Sequence, residues 1–137
     1  MHDDAYLEAQ VMTAKPHQLH LMVVDGAMRF AAKAEEALRA DDFDTAHFAL
    51  NKSRGCIGEL IAGLNPDHAP EMVERLKALF VFVYRNLADA DMSRDASRVA
   101  TALHVLRIHR ETWVALGEQL GRDAQTGAPA GGRHWMT

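Results

Sequence analysis

At 137 residues the chain has room for one ordinary domain with its own core and too little for two. Hydrophobic residues at 48% exclude global disorder, and a net charge of -4, with Lys and Arg interleaved among acids, excludes the clustered basic surface that nucleic acid requires. The single cysteine, Cys56, excludes an internal disulfide framework and suits a reducing compartment.

The opening residues, MHDDAY, are acidic and polar, unlike a secretory signal. The longest apolar run, Ala78 to Tyr84, falls far short of the ~20 residues a membrane span needs, so a cytoplasmic location is expected. Residues 1–15 read as an N-terminal arm, apolar at Tyr6, Leu7, Val11 and Met12 but with no helix start signal of its own. Pro16 supplies that signal, because proline fits a first helical turn where its missing N–H has no partner to lose. The first helix is expected from Pro16 to Arg39. Leu19, Met22, Val23, Gly26 and Phe30 form one apolar stripe on it, and Leu21, Val24, Met28 and Ala31 a second. Two stripes need cover on more than one side, which marks this helix as central.

A polar break over residues 39–42 follows, and the carboxylate of Asp42 is placed to cap the next helix. That helix repeats Phe43, Ala46, Leu50, Ser53, Ile57, Leu60 and Leu64 in alternating steps of three and four. A second line on it, Asn51, Gly55, Gly58 and Ala62, carries almost no side chain; close packing inside the domain is the reading taken, with a shallow floor for a partner helix as the alternative. Asn65 and Pro66 end the helix, since the residue before proline avoids the helical region. Pro70 starts the third, whose seam is Val73, Leu76, Phe80, Val83, Leu87 and Ala90. Leu79, Val81, Phe82 and Tyr84 make its surface apolar almost all round, more than one face of a small bundle buries. After a break at 91–95, capped by Ser93 or Asp95, a fourth helix carries Val99, Leu103, Leu106, Arg110, Trp113, Gly117 and Leu120, flanked by Ile108 and Leu116. Periodicity is then lost in a Gly-, Ala- and Pro-containing stretch. The architecture expected is all-α: an antiparallel up-and-down four-helix bundle over residues 16–120, with the N-terminal arm before it and a disordered C-terminal tail over 121–137.

Catalytic and metal signatures are missing. The chain has 8 histidines, but no HExxH and no Glu-x-x-His pair. His17 and His20 share a helix face, His104 and His109 do not, and each reads as a solvated side chain. Cys56 reads as a small buried hydrophobe. No cofactor, no metal and no enzymatic activity are expected.

The same text resembles the flagellin-specific export chaperone family, FliS. Four blocks carry the resemblance: Tyr6 to Ala14 with Pro16 and the run Leu21 to Ala27; Ile57, Glu59, Leu60, Leu64 and Asn65; Leu79-Phe80 through Tyr84-Arg85-Asn86-Leu87 with Ala90; and Trp113 after a mixed-charge stretch. It spans about Tyr6 to Leu120. The resemblance implies a cytosolic chaperone that binds the C-terminal disordered segment of flagellin in apolar helix grooves, blocks premature polymerisation, and delivers its cargo to the flagellar secretion apparatus. The arm would cover part of that surface when the chaperone is alone. Tyr6, Leu7, Val11, Ile57, Leu60, Leu64, Phe80, Tyr84 and Leu87 are the residues expected at the partner. Export-gate components and a second copy of the chain stay open as further partners. Two other readings are kept: a helical interaction or self-association module for another partner, and a small metal-binding bundle using histidines.

Overall fold

The computed structural model describes residues 16–126, and every regular element among them is a helix: α1 Pro16–Arg39, α2 Phe43–Ala62, α3 Pro70–Ser93 and α4 Ala96–Thr126. α1 packs on α2 and α4, and α3 packs on the same two, so the helices close a four-sided ring of antiparallel neighbours. This is the expected all-α up-and-down bundle. α1 is a side of the ring like the others and is not central. Its two stripes are covered by α2 and α4; Leu21, Met22, Val23, Met28 and Phe30 are half-buried, and Leu19 is exposed.

The heptad-like seams fill the core. Ala46, Leu50, Ser53, Ile57 and Leu60 of α2, all six seam residues of α3, and Val99, Leu103, Leu106 and Trp113 of α4 are buried. α1 contributes mainly small residues to it, with Val24, Ala27, Ala31, Ala34 and Ala37 buried. Small side chains let the α1 and α2 backbones come close. The buried Ser53 hydroxyl donates to the Ala27 carbonyl across that seam at 2.8 Å, and a β-carbon on Gly26 would lie 3.4 Å from the Cys56 sulfur. Cys56 itself is half-buried, and burial, with Glu59 next, raises its thiol pKa so that it stays protonated.

All three connections turn through a left-handed residue that is not glycine: Asp41 (φ 57°), Ala69 (φ 47°) and Arg94 (φ 54°). After α1, the Asp42 N–H donates to the Ala37 carbonyl at 2.8 Å and the Asp41 N–H to Leu38 at 3.1 Å, the paired closure of a Schellman motif. After α3 the Asp95 N–H returns to the Ala90 carbonyl at 3.1 Å in the same way. Asp42 caps α2 as expected, accepting from the Thr45 N–H. Asp95 does the equivalent for α4, accepting from Ser97, and those bonds lower its pKa.

Three boundaries differ from expectation. α3 runs on to Ser93, into the break expected over 91–95. α2 stops at Ala62, with Gly63 as its cap, rather than reaching Asn65, so Leu64 lies beyond the helix. α4 does not end near Leu120 but runs to Thr126. Arg122, Asp123 and Ala124 suit a helix, and the Gln119 amide bridges forward to Asp123 (3.1 Å) while Arg122 reaches back to Gln119 (2.9 Å). The expected disordered tail is therefore helical over 121–126. The rest of it, 127–137, and the arm, 1–15, with Tyr6, Leu7 and Val11, lie outside the described residues.

Candidate partner-binding groove

The bundle is cleft at one end, where α1 begins, α2 ends and α3 begins. A groove of about 430 Å3 opens there. Pro16, Leu19 and Val23 come from α1, Leu60 from α2 with Leu64 just after it, Val73 and Leu76 from α3, and Trp113 from α4. Its polar lining is sparse: Glu59, Asn65 and His20. α4, at 31 residues, is about 46 Å long against about 36 Å for the 24-residue α1. Its surplus projects past this same end, because Gly117 already lies level with His17 at the start of α1.

The groove floor is an aromatic cluster joining α1, α3 and α4. His17 stacks on Trp113 with planes 7° apart, and its Nε2–H donates to the Trp113 carbonyl at 2.6 Å. The Trp113 indole N–H returns a bond to the His17 carbonyl at 3.3 Å. His20 also stacks on Trp113, with ring centroids 4.0 Å and planes 29° apart, and its Nε2 meets His109 Nε2 at 2.7 Å. Phe80 packs its ring edge-on to His109, tying the cluster to the core. Burial, then the neighbouring His109 and His17, pushes the His20 pKa down to about 3, and burial pushes His109 down to about 4. A pair that shares one hydrogen bond between two Nε2 atoms needs exactly one proton there, which two neutral rings supply. The expectation that these histidines are solvated is thus corrected for His17, His20 and His109, while His104 is exposed. Sequence gave no hint, since the partners are 89 and 96 residues apart.

Of the residues expected at the partner, Leu60 and Leu64 line the groove, and Tyr84 is 40% exposed on α3. Ile57, Phe80 and Leu87 have no exposed surface in the chain as it stands. They are core, because the residue at the centre of a helix seam points at the bundle axis rather than at solvent. The apolar excess of α3 is present elsewhere on the helix: Phe82 is 48% exposed, on a different face from Tyr84.

The small-residue line of α2 is also not packed inside the domain. Asn51, Gly55 and Ala62 are exposed, and a β-carbon on Gly55 or Gly58 would meet nothing within 4 Å. The close-packing reading of this line is overturned; the face is open.

Two polar clamps hold the neighbouring seams. Arg110 Nε donates to Asp25 at 2.6 Å between α4 and α1, which raises the Arg110 pKa. Asp91 of α3 accepts from Arg54 (3.0 Å) and pairs with His47 (2.8 Å), both on α2. Among the described residues no cluster of three or more His, Cys, Asp or Glu is placed to hold a metal ion, and no helix is long and apolar enough to cross a membrane.

A family model described as flagellar protein FliS matches residues 2–120. The chain is similar to the flagellar secretion chaperone FliS of Salmonella typhimurium, 32% identical over 108 residues that cover 78% of this chain and 80% of that one. It is 29% identical to the flagellar secretion chaperone FliS of Bacillus subtilis over 109 residues, 80% of each chain. Among solved structures, a crystal structure of a flagellar chaperone from bacteria shares the fold with a TM-score of 0.72 at 18% identity, covering 85% of this chain and 98% of that one.

Proposed function

The chain belongs to the FliS family of flagellar proteins, and on that premise we propose that it is an export chaperone whose cargo is the C-terminal segment of flagellin. The groove carries this reading. An apolar cleft of about 430 Å3 lined from all four helices is costly to leave in water, and a segment that folds as it binds supplies the missing cover. Phe82 and Tyr84 on α3 and the open Gly55–Gly58 face of α2 offer further surface for a segment that wraps around the bundle. Leu60, Leu64 and Tyr84 are the groove and surface contacts proposed. The role is binding rather than catalysis, in the cytoplasm, with delivery to the secretion apparatus as its outcome.

The arm has a place in this reading. Pro16, the first described residue, sits on the groove lining. Tyr6, Leu7 and Val11 are proposed to cover the groove when cargo is absent and to be displaced by it. Co-purification with a peptide of the flagellin C-terminal segment tests the function. Stoichiometric capture is expected, weakened by Leu64→Asp; no capture by the wild type would refute it. Deleting residues 1–12 is expected to tighten peptide binding and to increase self-association.

A further inference from the structure

We propose that His20 is a specificity-determining residue of this groove: it selects cargo segments that set one hydrogen-bonding side chain, an amide or a hydroxyl, among the apolar side chains they bury. The proposal rests on reading the groove as the cargo site. His20 is a polar lining residue in an otherwise largely apolar cleft, and it is not free to turn away. Its Nε2 is held by His109 at 2.7 Å and its ring lies against Trp113, with centroids 4.0 Å apart. That leaves Nδ1 with no hydrogen bond to any described residue, on a half-buried side chain that lines the groove. A ring nitrogen on an open groove wall is satisfied by water until something covers it.

A cargo segment that covers His20 removes that water. A wholly apolar segment leaves Nδ1 buried and unpaired, whereas a segment with a matching polar group replaces the bond. The His109 partnership widens what can match. One proton lies between the two Nε2 atoms; when it sits on His20, Nδ1 accepts, and when it sits on His109, Nδ1 carries the hydrogen and donates. Either end of a Gln or Asn amide, or a Ser or Thr hydroxyl, can therefore be served. Burial keeps both rings neutral near neutral pH, so the recognition is by hydrogen bond and not by charge.

The test is a set of flagellin C-terminal-segment peptides in which each polar residue is replaced in turn by Leu, titrated onto full-length wild type, His20→Phe and His20→Asn. One position is expected where Leu weakens wild-type binding roughly five- to hundredfold. The same replacement is expected to weaken binding to His20→Asn, whose amide reproduces the Nδ1 position, and to leave His20→Phe within about twofold. If the wild type binds the parent peptide but no position is coupled to His20, the proposal is overturned. If the parent peptide does not bind the wild type, the cargo reading itself fails and takes this one with it. Should His20→Phe not fold, His20→Met gives the same readout.

Discussion

Gly117 and His17 show how one atom decides a packing. A β-carbon on Gly117 would overlap the His17 imidazole, so the His17–Trp113 stack requires glycine there. Gly117→Ala is expected to lower stability by about 1–3 kcal/mol, read as a fall in the denaturant midpoint, because the ring must leave Trp113. Gly55→Ala meets open space, and the same substitution there is expected to raise stability by up to about 1 kcal/mol through helix propensity alone. The buried histidines give a pH signature. Unfolded histidines titrate near pH 6.5, but His20 and His109 in the fold titrate near 3 and 4. Below pH 6.5 the unfolded chain takes up protons that the folded chain refuses, so stability falls as pH falls, down to about pH 4. The slope is at most about 1.4 kcal/mol per pH unit for each ring. Urea midpoints at pH 7 and pH 4.5 are expected to differ more for the wild type than for a His20→Phe, His109→Leu double variant. Equal differences would mean that carboxylates alone set the acid limb.

The helices are where sequence and structure agree best. α1 starts at Pro16 and α3 at Pro70, and α2 is capped by Asp42, because each of these signals acts through neighbouring backbone alone. Asp42→Ala is expected to cost about 1 kcal/mol, read as a lower melting temperature. The connections were harder to read. Asp41, Ala69 and Arg94 adopt left-handed conformations that a sequence normally announces with glycine. Ala69 holds a conformation that glycine adopts without strain, so Ala69→Gly is expected to stabilise the chain or leave it unchanged, where alanine to glycine in a helix interior costs up to about 1 kcal/mol. The α2–α3 pairing depends on Asp91, which holds Arg54 in a half-buried position. Asp91 reads in the sequence as part of a polar break, since nothing local names a partner on another helix.

At the scale of the molecule, the bundle is cleft at the end where α1 begins and where α4 overruns it. Four helices of unequal length cannot all close the same end, and the seam residues that would plug it, Leu60, Leu64, Val73 and Leu76, are left lining a groove. That arrangement couples cargo to stability. A ligand that binds only the folded chain at a hundredfold excess over its dissociation constant adds about 2.7 kcal/mol, so a saturating flagellin segment is expected to raise the melting temperature measurably. Leu64→Asp is expected to reduce that rise. The apolar excess on α3 was legible as composition, but which of its residues face out was not: Phe80 and Leu87 vanish into the core, while Phe82 and Tyr84 stay outside.

The chain by itself determined the helix count, three of the helix starts or caps, the seams and the family, because a 3.6-residue period and a proline or aspartate at a helix start act over one or two turns. Only the tertiary structure decided which face of each helix is spare. It brought His17, His20, His109 and Trp113 together across 89 to 96 residues of sequence and left the Gly55–Gly58 face open. The physical reason is that periodicity fixes where an apolar stripe lies on its own helix, whereas burial depends on the length and position of the helices that happen to stand against it.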